Sequence, residues 1–238
     1  MTQGILLQSI CEKNFFEINE QYIYILERYV ARLLMWNQKV NLISRQHTEN
    51  IWIQHILASI SFLFKFEIEK KSSVIDIGTG GGLPGIPISI LRPDLRFVLI
   101  DSIQKKILAV QDMIKYLELN NVSAICGRAE ELNRKEHLQN KFDYVIARGV
   151  SSSKDVLSWS KPFLKTDKKD PQAIVVSENN RKLIPRGSII LLKGGDINRE
   201  IDETRAKHNP KSIQAFPIVI NGIDPTQLFD KKIIIIQA

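Results

Sequence analysis

Val74-Ile75-Asp76-Ile77-Gly78-Thr79-Gly80-Gly81-Gly82-Leu83-Pro84-Gly85 decides the fold. An apolar run ends in a carboxylate, a glycine-rich turn follows, and Pro84 has the fixed φ that suits the opening of a helix. Glycines at such a turn let the backbone approach a ligand where a Cβ would clash. Working outward, Phe97–Ile100, Val122–Cys126, Tyr144–Ala147 and Ile189–Leu192 are further short apolar runs. Helical segments separate them, the clearest being Gln104–Leu119, with Ser102 as its expected cap and Asn120 as its expected stop. Short buried strands divided by helices predict an α/β fold with a mostly parallel sheet covered on both faces. Ile213–Ile220 and Lys232–Gln237 close the chain with Asn221-Gly222 and Asp224-Pro225 between them, which predicts an antiparallel hairpin at one sheet edge.

In a doubly wound sheet, ligands bind at the carboxyl edge of the strands. The second strand ends at Asp101, where a carboxylate can accept from both hydroxyls of a ribose. Gly80, Gly82 and Gly85 also fit the G-x-G-x-x-G dinucleotide pattern. The turn alone therefore admits a sulfonium nucleoside, a nicotinamide dinucleotide or an unused pocket. Asp76 at the mouth of the first strand favours a cationic amino-acid group and would repel a pyrophosphate. The long extension ahead of the turn points the same way.

Cys126-Gly127-Arg128-Ala129-Glu130-Glu131 follows the third strand. Glu130 there can accept from an adenine amine, or simply favour a helix start through the dipole. Arg148 stands at the exit of the fourth strand, where an amino-group methyltransferase often carries Asn-Pro-Pro-aromatic, a motif this chain lacks. It also lacks the Pro-Cys pair used for attack through a pyrimidine carbon.

The first seventy or so residues read as a helical extension, 1–70, before a domain at 71–238. Asn19 is expected to cap a helix with Tyr22, Ile25, Leu26, Tyr29, Leu33 and Trp36 at helical spacing. Thr48 is expected to cap a second, with Ile51, Trp52, Ile56, Ile60 and Leu63 on one face. Between them Trp36-Asn37-Gln38-Lys39-Val40-Asn41-Leu42 is unexpectedly polar. Residues 166–186 interrupt the strand–helix order with Lys168, Lys169, Arg181, Lys182 and Arg186 around a β-prone piece, Ala173–Val176, and read as a basic surface insertion.

Across 238 residues, 25% are charged and 44% hydrophobic, as in an ordinary globular protein long enough to bury its own core. No signal-peptide order opens the chain, and runs such as Ser188–Leu192 and Ile233–Ile236 are too short to span a membrane. Cys11 and Cys126 have neither metal nor disulfide spacing, the four histidines show no paired-ligand spacing, and no metal is expected. The net charge of +7 favours an anionic partner such as nucleic acid.

Taken in order, Trp36-Asn37, Asn41-Leu42, His55-Ile56-Leu57, Asp76–Gly85, Leu99-Ile100-Asp101-Ser102, Gly127–Glu131, Ala147-Arg148 and Leu192-Lys193-Gly194 resemble the small-subunit rRNA guanine-N7 methyltransferases, once called glucose-inhibited division protein B. The likeness covers roughly residues 20–165 and 187–200. It implies a Rossmann-like class I methyltransferase fold with a mostly parallel seven-stranded sheet. It also implies a bacterial, cytoplasmic enzyme that uses S-adenosylmethionine to methylate a guanine N7 of 16S rRNA in the small ribosomal subunit. By the resemblance Gly78, Leu83, Ala129, Glu130 and Arg148 match cofactor positions, to which the reading of the residues adds Asp76, Gly80, Gly82 and Asp101. The chain departs from the family pattern at Ala58, where Asp is usual, at Gly81, where proline is common, and in the insertion.

Guanine N7 carries a lone pair and no proton, so its methylation needs no general base, and rate can come from alignment. Arg148 is the expected catalytic residue, paired with the cofactor carboxylate or with guanine O6. Lys193 is the expected phosphate anchor for RNA, and the protein is expected to be a monomer. The same fold is also compatible with a non-catalytic RNA-binding assembly factor, against which the intact Asp76–Gly82 turn and Asp101 speak. A small-molecule methyltransferase suits the basic balance and the insertion less well.

Overall fold

The computed structural model describes residues 3–44, 49–166, 175–176, 181–228 and 230–238. Two helices open it, α1 (Gln3–Lys13) and α2 (Glu20–Asn37), and Asn19 caps α2 as expected by accepting from Gln21 N. Thr48 lies outside the described residues. The segment it was expected to cap is wound as a π-helical turn, Trp52–Leu57, that runs into α3 (Ala58–Ile60). After the two-residue strand β1 (Phe66–Glu67) come β2 (Ser73–Ile77), α4 (Gly85–Leu91), β3 (Arg96–Asp101), α5 (Gln104–Tyr116), β4 (Val122–Cys126) and α6 (Ala129–Leu132). The chain continues through β5 (Tyr144–Arg148), α7 (Ser153–Ser160), β6 (Val175–Val176), β7 (Lys182–Leu183), β8 (Ser188–Gly194), α8 (Asn198–His208), β9 (Ser212–Pro217) and β10 (Lys231–Gln237).

Seven strands form the main sheet in the order β4-β3-β2-β5-β8-β10-β9. The first five are parallel, and β10 runs antiparallel between β8 and β9. The expected closing hairpin is present, with β10 wedged inside and β9 at the edge. Its first strand ends at Pro217, short of the predicted Ile220, because its partner β10 begins at Lys231, where Ile218 N makes the last bond between them at 3.0 Å.

Two boundaries of α5 differ from expectation. Ser102 does not cap it; Ile103 is the N-cap, and its N–H goes to Asp101 Oδ1 at 2.9 Å. The helix stops before Asn120, at Tyr116, and the chain turns through Glu118 at φ 56°.

Successive side chains of a strand face opposite sides of the sheet. One face packs Val74, Leu99, Ile146, Leu192 and Ile233 against Leu26, Tyr29, Leu33 and Ile56 of the helical extension in a single apolar core. The other packs Ile75, Ile77, Val145, Ile189 and Ile234 with Val156 and Leu157 of α7 and Ile201 of α8. The extension thus roofs the face on which Asp76 and Arg148 stand.

The expected basic insertion is partly built into the fold. β7 pairs parallel with β1 and antiparallel with β6 in a small second sheet. Arg181 pairs with Glu67 at 2.6 Å, and Arg186 pairs with Glu69 at 2.7 Å and with the buried Asp143 at 3.4 Å. Lys182 lies over the Phe216 ring. Lys168 and Lys169 lie outside the described residues. The described cations of this segment are therefore fastened down rather than displayed.

Candidate functional site

The glycine turn is held from below by one carboxylate and from the side by another. Asp76, fully buried, accepts at Oδ2 from Thr79 Oγ1 at 2.7 Å and from Gly85 N at 3.1 Å. A Cβ at Gly85 would stand 2.3 Å from Leu99 Cδ2 and 2.8 Å from that oxygen, so only glycine fits. Asp101 accepts at Oδ2 from Gly80 N at 3.0 Å, which fastens the crest of the turn to the end of β3. Gly78, Gly80 and Gly82 all take positive φ, a conformation that an L side chain rarely adopts.

Asp76 departs from the expected place at an open mouth. Burial pushes its pKa up to about 7, against the lowering effects of Thr79, Gly85 and Arg148, while Asp101 adds to the rise. Its Oδ1 is buried without a hydrogen-bond partner. It shapes the turn from beneath rather than facing a ligand directly.

The extension also grips the turn. The buried Tyr29 hydroxyl donates to Gly81 O at 2.9 Å, and burial holds that phenol well above its ordinary range, so it remains a donor. Asn37 accepts from Leu42 N and Ile43 N at 2.9 and 3.0 Å, and a Cβ at Gly81 would stand 3.2 Å from the Leu42 side chain. This accounts for the polar Trp36–Leu42 stretch. Trp36 Nε1 likewise donates to Asp112 of α5 at 2.6 Å, beside the Arg32–Asp112 ion pair at 2.7 Å.

Asp101, 7% exposed, has spent one lone pair per oxygen on backbone N–H groups. A carboxylate offers about four acceptor sites, which leaves capacity for two ribose hydroxyls. Ile103 beside it is 47% exposed, an apolar face suited to an adenine ring that sequence reading passed over. An exposed isoleucine one residue beyond the acidic strand end was the available signal. Ala129 is buried at the start of α6, and Glu130 is half-exposed with Arg128 3.7 Å away. The Leu83 side chain is in the core, so its backbone is what it presents. These groups fit a nucleoside carrying an amino-acid tail.

Arg148 sits on the extension side of β5. Its Nη1 donates to His55 O at 3.2 Å, Ser59 Oγ at 3.3 Å and Gln54 O at 3.5 Å, and its Nη2 lies 2.6 Å from His55 Nδ1. Arginine only donates, so His55 Nδ1 is the acceptor and its ring proton is on Nε2. Burial draws the guanidinium pKa down, while Tyr29 and Asp76 oppose it. The partnership with His55 and Ser59 was not readable in sequence, where His55-Ile56-Leu57 was a motif without a role.

Lys193 does not stand free as a phosphate anchor. On β8 it points to the opposite face, donates to Ser151 O and pairs with Glu200 of α8 at 2.5 Å. Glu200 also accepts from Ser153 N, and although burial opposes it, these contacts hold its carboxyl below the usual range. The lysine therefore clasps the loop 149–152 that leaves β5. Val150 of that loop lies over Gly78, where a Cβ would meet it at 2.5 Å.

Among the described residues no helix is long and apolar enough to cross a membrane, and no three His, Cys, Asp or Glu side chains gather as a metal set.

The family model for rRNA small subunit methyltransferase G matches residues 22–169. A ribosomal RNA small subunit methyltransferase G of Chlorobaculum tepidum is 36% identical over 236 residues, 97% of this chain and 96% of its own. Its namesake in Flavobacterium johnsoniae is 39% identical over 168 residues, 71% of each chain. Among solved structures, a SAM-dependent methyltransferase from Aquifex aeolicus is similar in fold, with a TM-score of 0.53 at 12% identity over 79% of this chain and 93% of that one.

Proposed function

The chain belongs to the rRNA small subunit methyltransferase G family, and from that premise we propose that it transfers the methyl group of S-adenosylmethionine to N7 of a guanine in the 16S rRNA of the small ribosomal subunit. The observation that carries the cofactor half is Asp101, fixed by Gly80 N and Ile103 N with acceptor capacity left beside the glycine turn. In this reading Asp101 takes the ribose hydroxyls and Ile103 and Ala129 flank the adenine. Glu130 accepts from the adenine amine, and the backbone of Gly78, Gly80, Gly82 and Leu83 lies along the amino-acid tail. Asp76 keeps that backbone in shape.

When bound, S-adenosylmethionine supplies a methyl carbon already activated by its sulfonium. The N7 lone pair needs no proton removed, so the chain's task is to position the base and exclude water. Arg148 stands at the β5 exit with its guanidinium bonded to His55, Ser59 and the Gln54 carbonyl, and so fixes the extension beside the reacting end. A ribosomal substrate puts the protein in the cytoplasm.

The test is incubation of the purified protein with labelled S-adenosylmethionine and small subunits from a strain lacking the enzyme, followed by nucleoside mass spectrometry. N7-methylguanosine in the 16S rRNA is expected. Label at another atom, or none, would overturn the assignment.

A further inference from the structure

A cavity of about 200 Å³ opens where the extension meets the carboxyl ends of β5 and β8 and the amino end of β10. Strand register explains its composition. Arg148 is paired with Leu192, and Lys231 with Gly194, two residues further along β8, so all three side chains, Arg148, Leu192 and Lys231, face the extension. Gln54 and Ala58 close the cavity from the extension, and Ile218 closes it from beyond β9. The volume is below the roughly 300–1,000 Å³ of pockets for drug-sized ligands. It suits one flat ring system between the apolar walls Ala58, Leu192 and Ile218.

Two polar groups on its wall are oriented and have capacity to spare. Gln54 donates its side-chain N–H to Gln227 O at 2.9 Å, so its amide oxygen is the atom left to accept. Lys231 is partly exposed, 3.2 Å from Asp230, and its three donors are not exhausted by that one pair. A donor and an acceptor on the wall of one cavity can meet O6 and the N1–H and N2–H groups of guanine. Adenine presents a donor and an acceptor in the reverse order, and each would meet its like.

We propose that this cavity seats the acceptor guanine, with Gln54 and Lys231 as the residues that distinguish it from adenine. The inference rests on the methyl-transfer reading above. Gripping the Watson–Crick edge leaves N7, on the neighbouring edge, open to Arg148 and the glycine turn. It also assigns the extension a direct part in recognition, since Gln54 comes from it.

The test is single-turnover transfer by the wild type, Gln54→Ala and Lys231→Met on small subunits reconstituted with guanosine or inosine at the acceptor position. Inosine keeps O6, N1–H and N7 but lacks the N2 amine. The wild type should lose about two- to tenfold on inosine, the worth of one neutral hydrogen bond. Gln54→Ala should treat the two substrates alike, a readout that a merely structural role for Gln54 would not move. Lys231→Met should lose about ten- to a hundredfold on both, with unchanged affinity for S-adenosylmethionine. Lys231, partly exposed, keeps the test open if Gln54→Ala fails to fold. Wild-type rates in Lys231→Met, or an undiminished guanosine preference in Gln54→Ala, would overturn the proposal. Weakened cofactor binding in Lys231→Met would give the cavity to the cofactor and overturn it equally. A wild type that binds S-adenosylmethionine yet methylates neither substrate would overturn the underlying reading instead.

Discussion

The carboxyl edge of the sheet has two unlike halves. At the ends of β2 and β3 the polar groups are carboxylates and backbone N–H groups, with Asp76 and Asp101 each tied to the glycine turn. At the ends of β5 and β8 and the start of the antiparallel β10 they are the cations Arg148, Lys193 and Lys231. The first half is assembled within Asp76–Ile103, by strand ends and one turn. The second draws on Gln54, His55, Ser59, Arg148, Glu200 and Lys231, brought together only by the fold. The difference teaches that one half is built from contiguous chain, which Tyr29 of the extension only steadies at Gly81, whereas the other takes side chains from the extension itself.

The sharpest way to break that division is Arg148→Ala. Transfer should fall about ten- to a hundredfold, the scale of losing hydrogen bonds to a charged group, because the segment carrying Gln54 and His55 loses its tie to β5. The variant should also melt several degrees lower, because the His55 and Gln54 carbonyls and Ser59 lose their donor. Single-turnover rates beside thermal unfolding check both; wild-type values in both would unite the two halves again.

What the sequence made legible follows the same line. The strand–turn–helix unit, the parallel order and the closing hairpin rest on local runs and turn residues, so they could be read, and Asp101 with them. Asp76 could be placed at a strand end, but its burial follows from packing under Gly85. The pairing of Lys193 with Glu200 was not legible, because only strand register shows that it faces α8. Arg181 and Arg186 were misread because their partners Glu67, Glu69 and Asp143 lie far away in the chain.

Asp76→Asn sharpens the comparison from the carboxylate side. Burial raises the folded pKa of Asp76 to about 7, with Asp101 adding to the rise and Thr79, Gly85 and Arg148 opposing it. The ordinary unfolded value is about 3.9. Stability from this raised group is fully present below about pH 4 and is lost as pH rises through 7. Asparagine keeps an acceptor for Thr79 and Gly85 without the charge. The variant should therefore gain on the wild type between about pH 4 and 7 in thermal unfolding, and a constant difference would remove the buried-charge account.

Lys193→Met tests the clasp against the discarded phosphate role. Loosening the 149–152 loop should cut transfer several-fold, about 1 kcal/mol by the loss of hydrogen bonds. The slope of log RNA affinity against log salt should stay that of the wild type. A slope flatter by about 0.7–0.9 would restore the phosphate anchor.

The smallest effect is expected from Arg181, Lys182 and Arg186 changed together to glutamine. If all three met phosphates, the slope would flatten by about two to three units. Because Arg181 and Arg186 are paired inside the fold and Lys182 lies over Phe216, a change below about one unit is expected in filter retention across a salt series. The variant should instead melt earlier.

The division itself is tested most directly by calorimetric titration of S-adenosylmethionine into Asp101→Ala and Lys231→Met side by side. Asp101→Ala should bind about ten- to a hundredfold more weakly, the worth of hydrogen bonds to a charged acceptor. Lys231→Met should bind as the wild type does. An unchanged dissociation constant in Asp101→Ala, or an equal loss in Lys231→Met, would contradict the placement of the cofactor on β2 and β3 and of the acceptor on β5, β8 and β10.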